Sequence, residues 1–372
     1  RLLMREQKIV SFQLFELSET RFRVVHKSGL IEELDTGGSG SLALPVLQYS
    51  AQGHRIELKY RQFLGQRQLE SVHNANGTRL LDISDAGGNL NIKVHPGTGH
   101  EALFKLEFNG TDRQLVRVVL PTANGVSSWR FDYGLRNDLL CVERVEGPLG
   151  GYEQITYDAS PHSFPGTELR KLPRVRSHQH YPGVRSEQPP IETRYEYSDK
   201  NFLGFGAPGL SWDDSGEDNL YKINASYFYT SIEQLWDSVN DKARRTITRT
   251  FNRFHLIIEE LTEQGDAVKR VRTRYYADEQ DVPFAQQPPQ CQLPMTVTTD
   301  YYRKSAETPM HTEVVSTEYD VFGNLTLQVQ ANGISEASTY YPAAGGDGCP
   351  ADPHGFVRNI KAKTCLLYTS LS

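Results

Sequence analysis

The chain has 372 residues and a formal net charge of −6, a balance that excludes a nucleic-acid partner, because phosphate recognition needs a concentrated excess of Lys and Arg. Its 19 Tyr, 16 Phe and 30 Gly against 3 Met describe pleated strands and tight turns, so an all-β fold is expected. No run approaches the ~18 to 20 apolar residues that cross a bilayer, and Cys141, Cys291, Cys349 and Cys365 lie too far apart in sequence to identify a zinc site or a disulfide framework.

The chain opens at Arg1 without Met, so further sequence is expected upstream. Strand-sized segments recur from residue 22 to about 160, bounded by Gly, Asn or Asp. Phe22 to His26 turns at Lys27-Ser28-Gly29 and returns through Leu30 to Leu34. Leu69 to His73, Arg79 to Ile83, Leu90 to Val94, Ala102 to Phe108, Gln114 to Leu120 and Ser128 to Tyr133 follow at roughly ten-residue spacing. In Ala102 to Phe108, Leu103, Lys105 and Glu107 alternate with Phe104, Leu106 and Phe108, which gives the strand one face to bury. Each hairpin is too small to fold alone and must stack on its neighbours.

Residues 1–160 thus read as an N-terminal hairpin-repeat region. Residues 161–192, rich in Pro, Arg and His with little periodicity, read as a linker or long loop. Strands are expected again at Glu192 to Tyr197, Leu220 to Tyr229, Arg244 to Phe251, His255 to Thr262, Val268 to Tyr276, Met295 to Tyr302 and Glu313 to Tyr319, making 193–364 a second β-repeat region. Helix signals are confined to Ser231 to Asp237 and the segment after Asp278. Residues 365–372 read as translated adapter sequence outside the natural fold.

The segment Tyr319-Asp320-Val-Phe-Gly323-Asn324-Leu325, followed by Asn332-Gly333 and Thr339-Tyr340, resembles the YD repeat. Its Tyr offers a stacking surface with one polar end, Asp and Gly close a turn, and Leu returns to the sheet. A degraded form, with altered Gly spacing, stands at Phe131-Asp132-Tyr133-Gly134, closed by Tyr152 and Tyr157-Asp158. A second similarity is Tyr195-Glu-Tyr197 leading into Gly204-Phe205-Gly206, which resembles shell proteins of insecticidal toxin complexes and their RHS relatives. The resemblance covers most of residues 22–364. It implies a meandering antiparallel repeat sheet that spirals into a shell around a C-terminal toxin. It also implies, as partners, the remaining repeats and toxin domain of the same polypeptide and other toxin-complex subunits, in a bacterial protein that is secreted or on the cell surface. No catalytic residue carries over.

Other constellations have plainer readings. Asp213, Asp214, Glu217 and Asp218 crowd a Gly-containing loop that offers oxygen ligands for Ca²⁺, but the spacing is not that of an EF-hand and a solvated acidic turn is the default. His178 and His180 with His162 offer imidazole nitrogens, yet a site would need further ligands. No nucleophile elbow, zinc-protease helix or phosphate loop is present, so no enzyme, metal or cofactor is expected. Sequons at Asn76, Asn109, Asn224 and Asn324 are what an Asn- and Thr-rich chain gives by chance. The alternative class is a cell-surface carbohydrate-binding or adhesion module with exposed Tyr rows.

Overall fold

The computed structural model describes residues 1–4, 6–38, 42–63, 66–110, 113–123, 125–183, 189–277 and 282–366. The fold is all-β, as expected: one sheet of 24 strands and a second of two strands, with two short 3-10 turns among the described residues. Pairing is antiparallel and, outside residues 158–174, runs from each strand to the next in sequence. Arg21–His26 pairs with Ile31–Asp35 through the Lys27-Ser28-Gly29 turn. Asn89–Val94, Ala102–Phe108, Leu115–Val119 and Ser128–Arg136 then follow one another in register.

The segment 161–192, expected as a loop, contains strands. His162–Phe164 pairs with Thr167–Leu172 as the separate two-stranded sheet, while Val175–Tyr181 pairs on one side with Tyr152–Tyr157 and on the other with Ile191–Tyr197. The main sheet therefore continues through this region. Its prolines stand between strands, at 161, 165, 173, 182, 189 and 190, where a missing N–H costs the ladder nothing. The polar residues are cross-strand partners: His178 Nε2 lies 2.9 Å and His180 Nδ1 3.7 Å from the Glu153 carboxylate.

Two further expectations are corrected. Ser231 to Asp237, read as helical, belongs to the strand Phe228–Asp237, which pairs with Ile191–Tyr197 and with Lys242–Asn252. A ladder on both edges satisfies its backbone and overrides local propensity. Leu220 to Tyr229, read as a strand, begins instead with a 3-10 turn, Asn219–Lys222, whose first N–H groups include Leu220 N bonded to the Asp218 carboxylate. Of the helical segment expected after Asp278, residues 278–281 lie outside the described residues, and beyond them stands one 3-10 turn, Phe284–Gln286.

A single-layer strip leaves most side chains half-buried. Among the described residues, two clusters of buried apolar side chains occur where loops fold over the sheet. One joins Ala207, Leu220, Ile223 and Tyr227; the other joins Phe254, Phe284 and Cys291. Elsewhere, each strand is held mainly by its neighbours, as in other quasi-one-dimensional repeats.

The strip curls. Its register shifts recur at corresponding positions, with one strand carrying an extra residue at Tyr60, Tyr133, Tyr157, Tyr275 and Tyr340. A bulge bends its strand and increases the local twist, and further shifts stand at other hairpins, among them Glu33/Leu34, Val72/His73, Leu235/Trp236 and Glu318/Tyr319. The strand Phe12–Glu16 lies beside loops of the last strands. Lys27 Nζ donates to Phe322 O at 2.9 Å and to Asn324 Oδ1 at 2.5 Å. Arg358 Nη1 donates to Lys27 O at 2.6 Å, Gln13 Nε2 to His354 O at 2.8 Å, and Lys8 Nζ to Ala285 O at 3.0 Å. The contact is loop against loop: among the described residues the first and last strands of the sheet do not pair.

Candidate functional site

The repeat carries two built-in devices, and both explain the sequence motif. The first is a tyrosine clamp. Tyr60, Tyr133, Tyr157, Tyr275 and Tyr340 donate their hydroxyls to the backbone carbonyls of Pro45, Leu115, Val142, Ile257 and Leu325 on the preceding strand, at 2.8, 2.8, 2.8, 3.1 and 3.0 Å. The registers superimpose. In each hairpin the clamp Tyr stands three residues past the last paired residue, and the accepting residue stands two before that residue's partner: Glu57 and Leu47, Arg130 and Arg117, Gln154 and Arg144, Arg272 and Glu259, Ala337 and Leu327. The strands splay there, and the phenol spans the gap that backbone bonds no longer close. Burial holds all five hydroxyls above the usual phenol range, so they stay protonated donors.

The second device is a turn in which a short polar side chain accepts from the backbone N–H groups two and four residues on, while its own carbonyl accepts from the third. Asp320 makes it with Phe322 N at 2.9 Å, Asn324 N at 2.8 Å and Gly323 N at 3.0 Å. Asn74, Asn201 and Asp352 make it with Gly77, Gly204 and Gly355 as third residues. Ser50 makes it with Gly53, and Asn252 with His255. The third residue lies in the left-handed region, at φ 76° for Gly323 and 60° for His255, which glycine adopts without strain. The Asp320 turn is legible in the sequence. Those at Ser50 and Asn252 are not, because their signal is the polar residue and not a Gly-Asn pair.

The YD-motif residues come together at the contact between the first hairpin and the last repeat. Asn324, which accepts from Lys27, donates Nδ2 to Asp320 Oδ2 at 2.8 Å and to Val357 O at 3.0 Å. A Cβ on Gly323 would stand 2.7 Å from Ile9 Cδ1, so only glycine fits both the turn and the seam. Tyr319 and Leu325 pair across the bulge that ends the hairpin, Gly333 closes the next turn at φ 81°, and Tyr340 is the clamp.

The second motif builds the layer over the sheet. Asn201 to Gly206 forms one of the six turns, and the buried Tyr227 fastens it: its hydroxyl lies 2.8 Å from Asn201 O and 2.7 Å from Phe205 O and accepts from Asn201 N at 3.0 Å. Burial pushes that phenol up to about 12. Tyr195 and Tyr197 lie on the strand Ile191–Tyr197 beneath. Tyr197 meets the ring of His162 edge-on at 5.0 Å, and the Arg174 guanidinium lies 5.5 Å from its centroid.

His255 is the exception among the third residues of these turns, and its ring is held at both nitrogens. Tyr229 Oη lies 2.9 Å from Nδ1 and Asp218 Oδ2 lies 2.7 Å from Nε2. The acidic loop flagged in the sequence thus serves structure: Asp218 caps the 3-10 turn and orients His255, and Lys222 with Ser215 holds Asp213 down at about 2. Beside it is a cleft of about 530 Å³. Among the described residues, no three His, Cys, Asp or Glu side chains gather in a metal-binding arrangement. His162 lies apart from the pair at His178 and His180, packed against Tyr197 and Phe202. No helix among the described residues is long and apolar enough to cross a membrane.

No protein-family model matches the chain, and no curated protein matches it. Solved structures to which it has some similarity include TcdB2-TccC3-TEV, at 12% identity and TM-score 0.24 over 89% of this chain and 18% of that one. TcdB2-TccC3 follows at 12% identity and TM-score 0.21, over 89% and 19% of the two chains. The Photorhabdus luminescens Tc holotoxin pore is 11% identical with TM-score 0.21, over 88% and 20%. The chain spans about a fifth of the length of each of these chains, and TM-scores this low do not establish a shared fold.

Proposed function

We propose that this chain is a stretch of the wall of an RHS/YD-repeat toxin shell, a container that encloses and helps deliver an effector carried C-terminally in the longer polypeptide. The observation that carries the reading is the curl. The first hairpin lies against the turns of the last repeats, tied there by Lys27, Arg358 and Gln13. That is how a wall winds, each circuit resting on the one before. The residues that make the YD resemblance are the ones that set the turn, the clamp and the seam. The clamp hydroxyls are spent on neighbouring strands, which leaves those tyrosines as mortar and weakens the reading as a glycan-binding face. A wall of this kind contributes no chemical step; its partners are the remaining repeats and the enclosed domain, and its setting is outside the producing cell.

The test is protease protection in the complete polypeptide. The segment C-terminal to the repeats is expected to survive a protease dose that degrades the same segment expressed alone, and to lose protection when the shell is opened with mild denaturant. Equal cleavage rates in the two contexts would remove the container reading, and saturable glycan binding would favour a surface module.

A further inference from the structure

We infer that this chain stacks on a second copy of itself rim to rim, the tip of the hairpin Ser128–Arg136 and Leu139–Glu146 in one copy seated in the apolar notch at the base of the same hairpin in the next. The inference does not depend on the shell reading, because a strip that encloses nothing would associate in the same way. Each strand of the main sheet is antiparallel to the one before it, so successive turns alternate between the two rims of the strip. The turn at Lys27 lies on one rim, and the loops it rests against, 320–324 and 353–359, lie on the other. The seam is therefore a contact between opposite rims, in which strands meet end-on. Both rims continue beyond it. Turns 120–127 and 147–151 share the rim of Lys27, and the tip Asn137-Asp138 shares the rim of Asn324.

The two ends of this hairpin are complementary. At the tip, all six residues from Leu135 to Leu140 are exposed. Leu135 is 69% exposed and stands directly opposite Leu140, with Leu139 beside them. Among the described residues no third strand pairs with this part, since the ladder to Leu115–Val119 stops at Arg130 and the ladder to Tyr152–Tyr157 stops at Arg144. At the base, the flanking turns carry Val126 and Leu149, the latter 91% exposed. The exposed ring of Trp129 lies beside the second turn, 3.5 Å from where a Cβ on Gly147 would stand. A copy displaced along the strands by the length of nine residues, about 30 Å, brings its three leucines between Val126 and Leu149 and recreates the pairing of opposite rims seen at the seam. Charge agrees with that placement: Asp138 is exposed at the tip, while Arg130 and Arg144 share the Glu146 carboxylate at the base. Apolar residues gathered in this way mark a contact surface more often than a free one. Since tip and notch are different surfaces, each contact leaves one of each open, and the assembly grows head to tail.

Sedimentation velocity of the full chain tests this. Between about 1 and 100 μM, the weight-average mass is expected to rise with concentration above that of one chain. Leu135→Glu, which spoils the tip, and Leu149→Glu, which spoils the notch, are each expected to weaken association by at least about tenfold, the least that losing one buried leucine implies. Both positions are exposed in the single chain, so circular dichroism and the urea midpoint should stay unchanged. Mixed in equal amounts, the two variants are expected to form a dimer and nothing larger, because the intact tip of one fits the intact notch of the other and the two remaining surfaces are both spoiled. A chain that stays monomeric across the range, variants that associate as the wild type does, as they would if the free edge of the strand Ile360–Leu366 carried the contact, or a mixture that stays monomeric would overturn the inference.

Discussion

Replacing a clamp tyrosine by phenylalanine removes one oxygen and keeps the ring, so it isolates the bond that holds the splayed strands. In Tyr157→Phe the lost bond is the 2.8 Å contact to Val142 O, and the half-buried carbonyl keeps part of its access to water. The expected loss is about 1 kcal/mol, within the range for an ordinary protein hydrogen bond. The clamps sit on separate hairpins, so their effects should add. Replacing all five tyrosines is then expected to cost on the order of 5 kcal/mol, comparable to the stability of a whole domain. Urea unfolding followed by tyrosine fluorescence measures the single and combined variants, with Tyr302→Phe as reference, since Tyr302 forms no clamp. If the five single variants match Tyr302→Phe within error, or if the combined variant unfolds at the wild-type midpoint, the clamp is not a structural device.

Three further outcomes follow from the geometry. At Asp320, Ala is expected to cost about 1 to 2 kcal/mol by orphaning the N–H groups of Phe322 and Asn324, and hydrogen exchange at those two amides should speed up; Asn, which keeps the accepting oxygen, should cost less. At His255, with φ at 60°, both Gly and Ala lose the ring bonds to Tyr229 and Asp218, yet Gly should be the more stable of the two by roughly 1 kcal/mol in thermal unfolding, because only Ala retains the left-handed strain. His162 is pushed down from 6.5 to about 4 by burial and by Arg174. Above pH 6.5 the ring is neutral in both states and contributes no pH dependence. Between pH 6.5 and 4 the unfolded chain takes up a proton that the folded one refuses, so stability should fall by up to about 3 kcal/mol and then level off. Urea midpoints against pH, compared with those of His162→Phe, isolate that component.

The hairpins were legible because their signals are local. Ala102 to Phe108 alternates cleanly and is a strand over those residues, and Asp320 with Gly323 announced a turn that the structure contains. The strands in 161–192 were not legible, because Pro, Arg and His suggest a loop until the cross-strand partners of His178 and His180 are known. Ser231 to Asp237 carries helix-compatible spacing, and only pairing on both edges makes it strand. The candidate site divides in the same way. The motif residues were visible, but the clamp depends on a Tyr and a carbonyl 15 or 18 residues apart, and the tie between Lys27 and Asn324 spans nearly the whole chain. Contacts that long-range leave no local trace.

Electron cryomicroscopy of the complete polypeptide tests the central claim most directly. A hollow particle is expected, with a wall one sheet thick, successive circuits in contact through the turns at Lys27 and at Asn324, and density for the C-terminal segment inside. A solid sandwich with both sheet faces covered, or an uncurled strip with the C-terminal segment outside, would contradict the account.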